Sequence, residues 1–289
     1  MRQDALTSHI PAATTRRIPV DGVELAVEIT GHGPAVLLLH GFPHTRAIWR
    51  DVVPHLVAAG FRVVVPDLHG LGDSGPAVRG YEAPVLAADL IGLLDVLDVR
   101  QAHVAGIDLG VASAFALAAA FPQRVVTLTL SEGLIGSLPG AEAFLQNGPP
   151  WWFGFHRAPG GLAEAVVEHA EERYVRYFLE SGSRRGVPED LTRILVEAYR
   201  GRESLTSAFD HYRAMPANAE WISNWAREHT LQMPVLAIGG NAIGEATALQ
   251  LRPISGTLAQ HNLPDSGHIT PIDQPGKFAE LLVDHARRT

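Results

Sequence analysis

Short apolar runs alternate with stretches of helical spacing over most of this chain. Residues 18–30 (IPVDGVELAVEIT) open the pattern as two alternating runs around Asp21-Gly22, a pair that favours the tight turn of a hairpin. The run Val36–Leu39, and the mostly apolar run from Arg62 to Val65, predict strands buried on both faces of a parallel sheet. Between them the spacing predicts a helix over 47–59, closed by Gly60. A helix over 85–97, a strand over 102–106, a small-residue helix over 111–120 and a strand over 125–130 continue the alternation. From about Gly133 to His229 the alternation stops. This stretch is rich in helix formers, Trp and Tyr, and is punctuated by Pro149, Pro150, Pro159, Gly160 and Gly161. The pattern then resumes with a strand over 234–238, a helix over 244–251, a short strand near 257–263 and a last helix over 275–287. Strands alternating with helices predict a mostly parallel sheet covered on both faces. The expected organisation is an α/β core of residues 1–132 and 230–289 with a helical cap, 133–229, inserted between strands.

Composition narrows the chemistry. The 289 residues are 46% hydrophobic and 19% charged, enough for a large core. The net charge of −8 contains no block of like charges, so nucleic acid and anionic membranes are not expected partners. The absence of cysteine excludes disulfides, thiolate nucleophiles and Cys-based metal sites. The 14 histidines are scattered without ligand spacing such as H-E-x-x-H, so neither a metal nor another cofactor is expected. Met1 to Arg17 lacks the apolar stretch of a secretory leader and no run reaches 18 apolar residues, which makes the cytoplasm the default compartment.

One pentapeptide carries the chemistry. Gly106-Ile107-Asp108-Leu109-Gly110 joins a predicted strand to a predicted helix, the setting in which G-x-S-x-G places a nucleophilic serine. With Asp108 at the centre, a carboxylate would attack carbon directly and leave an ester on the protein. That chemistry suits displacement at sp3 carbon, as in epoxides and alkyl halides. An Asp here also suits N-capping of the following helix, the simpler role.

Three further segments go with it: His40-Gly41-Phe42-Pro43 after one strand, Asp67-Leu68-His69-Gly70-Leu71-Gly72-Asp73-Ser74 after the next, and Pro264-Asp265-Ser266-Gly267-His268 near the C-terminus. Together with the Asp108 turn they resemble the α/β-hydrolase fold family over about residues 18–288, in its branch of epoxide hydrolases and dehalogenases. The resemblance implies Asp108 as nucleophile and His268 as the base that activates water. The loop after strand 234–238, Gly239-Gly240-Asn241, has no acid. The resemblance then points to Glu132, 24 residues after Asp108, as partner of His268, with Asp265 and Asp273 as weaker rivals. It implies an oxyanion hole from the N–H groups of Phe42 and Leu109. Tyr212, in Asp210-His211-Tyr212-Arg213, is implied as donor to the leaving oxygen or halide. His40 and the aromatic residues Trp151, Trp152, Phe153 and His156 are implied around the substrate, with Trp152 or His156 as a second donor.

Departures from the resembled pattern discriminate within the branch. Ile107 stands where a His often precedes the nucleophile, Leu109 stands where a halide-binding Trp follows it in haloalkane dehalogenases, and 111–120 lacks the Arg residues that clamp a haloacid. The leading expectation is an epoxide hydrolase forming vicinal diols from small hydrophobic substrates, as a monomer or homodimer. A dehalogenase for uncharged alkyl halides and a non-catalytic binding protein on the same scaffold are the alternatives.

Overall fold

A computed structural model describes residues 14–288; the expectation of no leader concerns a segment that, up to residue 13, lies outside this range. Eight strands form one sheet: β1 (Thr14–Val20), β2 (Val23–Thr30), β3 (Ala35–Leu39), β4 (Arg62–Pro66), β5 (Ala102–Ile107), β6 (Val125–Ser131), β7 (Val235–Gly239) and β8 (Leu258–Asn262). Their order is β1-β2-β4-β3-β5-β6-β7-β8. β2 pairs antiparallel with β1 and β4, and every other neighbouring pair is parallel. The hairpin turn works because Asp21 and Gly22 both adopt positive φ, 45° and 91°, as a two-residue turn between twisted strands requires.

Three helices follow in the first half: α1 (Val53–Ala58), α2 (Ala83–Val96) and α3 (Gly110–Ala120). The chain between β6 and β7 carries six: α4 (Trp151–His156), α5 (Leu162–Val167), α6 (Glu171–Gly182), α7 (Glu189–Ala198), α8 (Arg202–Arg213) and α9 (Met215–Ala226). The last three are α10 (Ala246–Leu251), α11 (Thr270–Asp273) and α12 (Pro275–Ala286).

One expected helix is divided. The stretch 47–59 splits into a tight 3-10 turn, Arg46–Trp49, and the short α1. Pro54 has no N–H to continue an i to i−4 ladder from the preceding turn, so α1 begins at Val53 beside it. The strands match their apolar patterning, and all five side chains of β3 are buried.

Register sets the position of the site. Leu39 pairs with Gly106, Gly106 with Leu130, Ser131 with Ile238, and Gly239 with Asn262. The C-terminal ends of β3, β5, β6, β7 and β8 therefore stop along one edge. The segments bearing Phe42, Asp108, Glu132, Gly240 and His268 leave the sheet together there, where open parallel sheets place their ligands.

Trp49 locks the divided helical stretch onto the core. It is fully buried, and its ring lies 5.6 Å from that of Phe278 on α12. Its indole nitrogen has no partner among the described residues. Trp49→Ala is expected to cost ~3–5 kcal/mol in urea denaturation. Trp49→Phe, which keeps a ring and removes the orphaned N–H, is expected to cost less than ~1.5 kcal/mol. Equal losses would mean that the ring does not anchor this turn.

Candidate active site

The turn after β5 is built from close approaches. A Cβ at Gly106 would meet the Gly110 carbonyl, and one at Gly110 would meet the carbonyls of Leu39 and His40. Only glycine lets α3 begin this near β3 and β5. Asp108 between them has φ 55°, a left-handed conformation that costs a non-glycine residue ~1–3 kcal/mol. The turn points its carboxylate across the strand ends, and Gly41 is required opposite, where a Cβ would overlap Asp108 Oδ1 and the Leu109 nitrogen.

Each Asp108 oxygen has its own partner. The Phe42 N–H donates to Oδ1 at 2.7 Å, and His268 Nε2–H donates to Oδ2 at 3.1 Å. His268 Nδ1–H faces Glu132 Oε2 at 3.4 Å. Glu132, also at positive φ (47°), is fully buried at the end of β6. The N–H groups of Gly240, Ile243 and Gly244 donate to it at 2.5, 2.9 and 3.1 Å. The loop that lacks an acid of its own thus supplies three donors that hold one contributed by β6. Asp273 does not reach His268. It accepts from Ser183 Oγ (2.6 Å) and from the Arg185 and Gly267 N–H groups (3.0 and 2.7 Å), fastening the His268 loop to the end of α6. Asp265 is exposed.

Electrostatics follow from this arrangement. Burial alone would lower the His268 pKa, but the hydrogen bonds and charges of Asp108 and then Glu132 outweigh it and lift the value to about 10. Burial would raise Asp108, yet the His268 hydrogen bond and charge hold its carboxyl below the ordinary range. At neutral pH the Asp108 carboxylate therefore faces an imidazolium.

A cavity of about 330 Å³ opens beside Asp108, and Leu109, Glu132, Phe153 and Tyr212 also line it. Its other walls are largely aliphatic, including Leu86, Leu134, Met215 and Ile222. Tyr212, on α8, is 2% exposed, and burial and then Asp108 push its phenol well above the ordinary value, so it remains a neutral donor.

The other expected site residues are spread more widely. His40 is fully buried beneath the site: Nδ1–H donates to the Gly41 carbonyl at 2.9 Å, and Nε2 accepts from the Leu68 N–H at 3.1 Å. Both nitrogens are used to join the loops after β3 and β4, which leaves none for a substrate. Trp151 is 53% exposed and packs outward against Tyr177 and Phe178. Trp152 turns onto Phe178, with ring centroids 5.4 Å apart. His156 is buried, with its ring 4.3 Å from that of Tyr212 and Nε2 2.6 Å from the Tyr174 hydroxyl. Burial lowers its pKa to about 3, so it is neutral. Neither Trp152 nor His156 is among the residues that line the cavity.

Several neighbours carry no obvious sequence signal. Phe42 contributes its side chain as well as its N–H: its ring lies 5.1–5.7 Å from His156, Phe178, Tyr199 and Tyr212. His44, one residue past the His40–Pro43 motif, lies fully buried with its ring 6.3 Å from His268, and its carbonyl accepts from the Tyr199 hydroxyl at 2.6 Å.

The chain is similar to known proteins in sequence and fold. The alpha/beta hydrolase fold family matches residues 34–185. Epoxide hydrolase 2 of Siraitia grosvenorii is 30% identical over 72% of this chain and 75% of its own length. Bifunctional epoxide hydrolase 2 of Sus scrofa is 26% identical over 91% of this chain, which spans only 53% of that relative. The crystal structure of Cfl2 wild-type from Burkholderia cenocepacia superposes with a TM-score of 0.86 at 28% identity, over 93% of this chain and 94% of the other.

The raised pKa gives a direct check. Its folded value of about 10 lies above the ordinary 6.5, so the pairing stabilises the fold fully below pH 6.5 and is lost as pH rises through about 10. In a histidine NMR titration His268 is expected to stay protonated at pH 8, and Asp108→Asn is expected to lower its pKa. Titration of the unsubstituted chain near 6.5 would contradict the charged triad.

Proposed function

The chain belongs to the alpha/beta hydrolase fold family, in its epoxide hydrolase branch, and on that footing we propose that it opens epoxides to vicinal diols through an ester on Asp108. The arrangement of Asp108 supports this reading most: one oxygen is held by the Phe42 N–H and the other faces His268, beside a cavity that Tyr212 also lines.

The two oxygens then have separate roles. Oδ2 attacks an epoxide carbon, the ring C–O bond breaks, and the freed oxygen takes the Tyr212 proton. Oδ1 becomes the carbonyl oxygen of the ester, already placed on the Phe42 N–H, and the Leu109 N–H is the second donor in this reading. Esterification removes the Asp108 charge, the main attraction that outweighs burial and holds the His268 proton. His268 thereby gives up that proton to bulk water and becomes the neutral base. It takes a proton from water, and hydroxide adds to the carbonyl while the two N–H groups stabilise the oxyanion. The adduct expels the second alcohol, protonated by His268. The Asp108 carboxyl then gives up its proton, Tyr212 recovers the one it lent, and His268 regains its proton from bulk water as the Asp108 charge returns. The sum is epoxide plus water to diol.

Glu132 orients His268 and supports its cation. His156 packs on Tyr212 and positions it, and Phe153 forms part of the substrate wall. Residues 133–229 act as a cap over a core of 1–132 and 230–289. The aliphatic walls suit small hydrophobic substrates.

The test is turnover of a panel of terminal and aryl epoxides beside haloalkanes. Diol formation is expected, Asp108→Ala is expected to abolish it with the circular dichroism spectrum intact, and Tyr212→Phe is expected to lower kcat by about 100-fold. Retained turnover in Asp108→Ala would refute the ester. Halide release with no diol would move the reading to dehalogenation.

A further inference from the structure

The cavity has a polar wall that the ester mechanism does not use. His211 on α8 and Asn218 on α9 both line it, and they are 5% and 8% exposed. Each uses only half of its polar group within the protein. His211 Nε2–H donates to the His69 carbonyl at 3.1 Å. That contact fixes the tautomer and leaves Nδ1 as a bare acceptor, with no partner among the described residues. Asn218 Oδ1 accepts from the Ala83 N–H at 2.7 Å, which orients the amide and leaves its NH2 without a partner among the described residues. Burial lowers the His211 pKa to about 3, so the ring stays neutral and keeps its lone pair. Tyr81 closes the same wall, its ring 4.8 Å from that of His211, and its hydroxyl accepts from the Ala77 N–H at 3.3 Å.

We propose that His211 and Asn218 form a polar subsite that binds a hydroxyl group carried by the substrate at a distance from its epoxide. A hydroxyl matches both halves, donating to His211 Nδ1 and accepting from Asn218 Nδ2. The surrounding aliphatic walls take the chain between the two groups. The substrate class is therefore an apolar epoxide bearing an alcohol. This specificity rests on the epoxide reading, but the subsite does not depend on turnover to be detected.

The experiment uses terminal epoxides of five to nine carbons, each ending in a methyl, a hydroxyl or a methyl ether. At the chain length that spans the cavity, the alcohol is expected to exceed the methyl-ended member in kcat/KM by about 10-fold, with the ether between them. Asn218→Asp keeps the oxygen that the Ala83 N–H uses but removes the amide donors, so it should fold and lose the advantage of the ether. His211→Phe should reduce the advantage of the alcohol. No preference at any chain length, or a preference unchanged by both substitutions, overturns the subsite. If no epoxide is turned over, the epoxide reading fails, and the subsite is decided by calorimetric binding of the same panel to Asp108→Ala. Tighter binding of the alcohols, reduced on adding His211→Phe, supports it; equal or undetectable affinities overturn it.

Discussion

An ionised carboxylate held in a left-handed turn at the end of β5 is the constraint around which the rest is arranged. Asp108 is strained at φ 55° and partly withdrawn from water, and each condition opposes it. The Phe42 N–H, the His268 cation and the start of α3 offset that cost. Gly41, Gly106 and Gly110 exist to let those groups approach. His268 in turn requires Glu132, and Glu132 requires the three N–H groups of the loop after β7. Removing one charge from this chain changes the affinity of the next group for its proton. Under the proposed ester mechanism, the same coupling that stabilises the resting triad would prepare the base at the moment the ester forms.

The helices between β6 and β7 are joined to this centre by specific polar contacts as well as by packing. The Tyr199 hydroxyl, just beyond α7, bonds the His44 carbonyl. His211 bonds the His69 carbonyl, and Asn218 bonds the Ala83 N–H. Asp273 ties the His268 loop to the end of α6. Tyr212 is thus held over Asp108 by a segment fixed at several points, while the cavity stays lined mainly by aliphatic groups.

Much of the fold was legible because buried parallel strands are short and apolar, and because glycine marks the turns. The break in 47–59 was missed because apolar spacing continues through it, although Pro54 forbids a continuous ladder. At the site, the Asp108 turn and the resemblance it carries point to Asp108, Glu132 and His268, and the structure brings His268 within hydrogen-bonding distance of both acids. Motifs do not say which way a ring is turned. His40 lies in the right segment but spends both nitrogens on backbone. Successive residues on α4 point about 100° apart, which sends Trp151 outward and Phe153 to the cavity. The Glu132 contacts with the 240–244 loop depend on strand register, and no local pattern encodes them.

Intact mass of His268→Gln after exposure to an epoxide that the unsubstituted chain hydrolyses tests the ester at Asp108 most directly. Without the base, a covalent adduct equal to the whole mass of the epoxide should accumulate and should map to Asp108. An unmodified protein under those conditions, or an adduct on another residue, would contradict nucleophilic attack by Asp108.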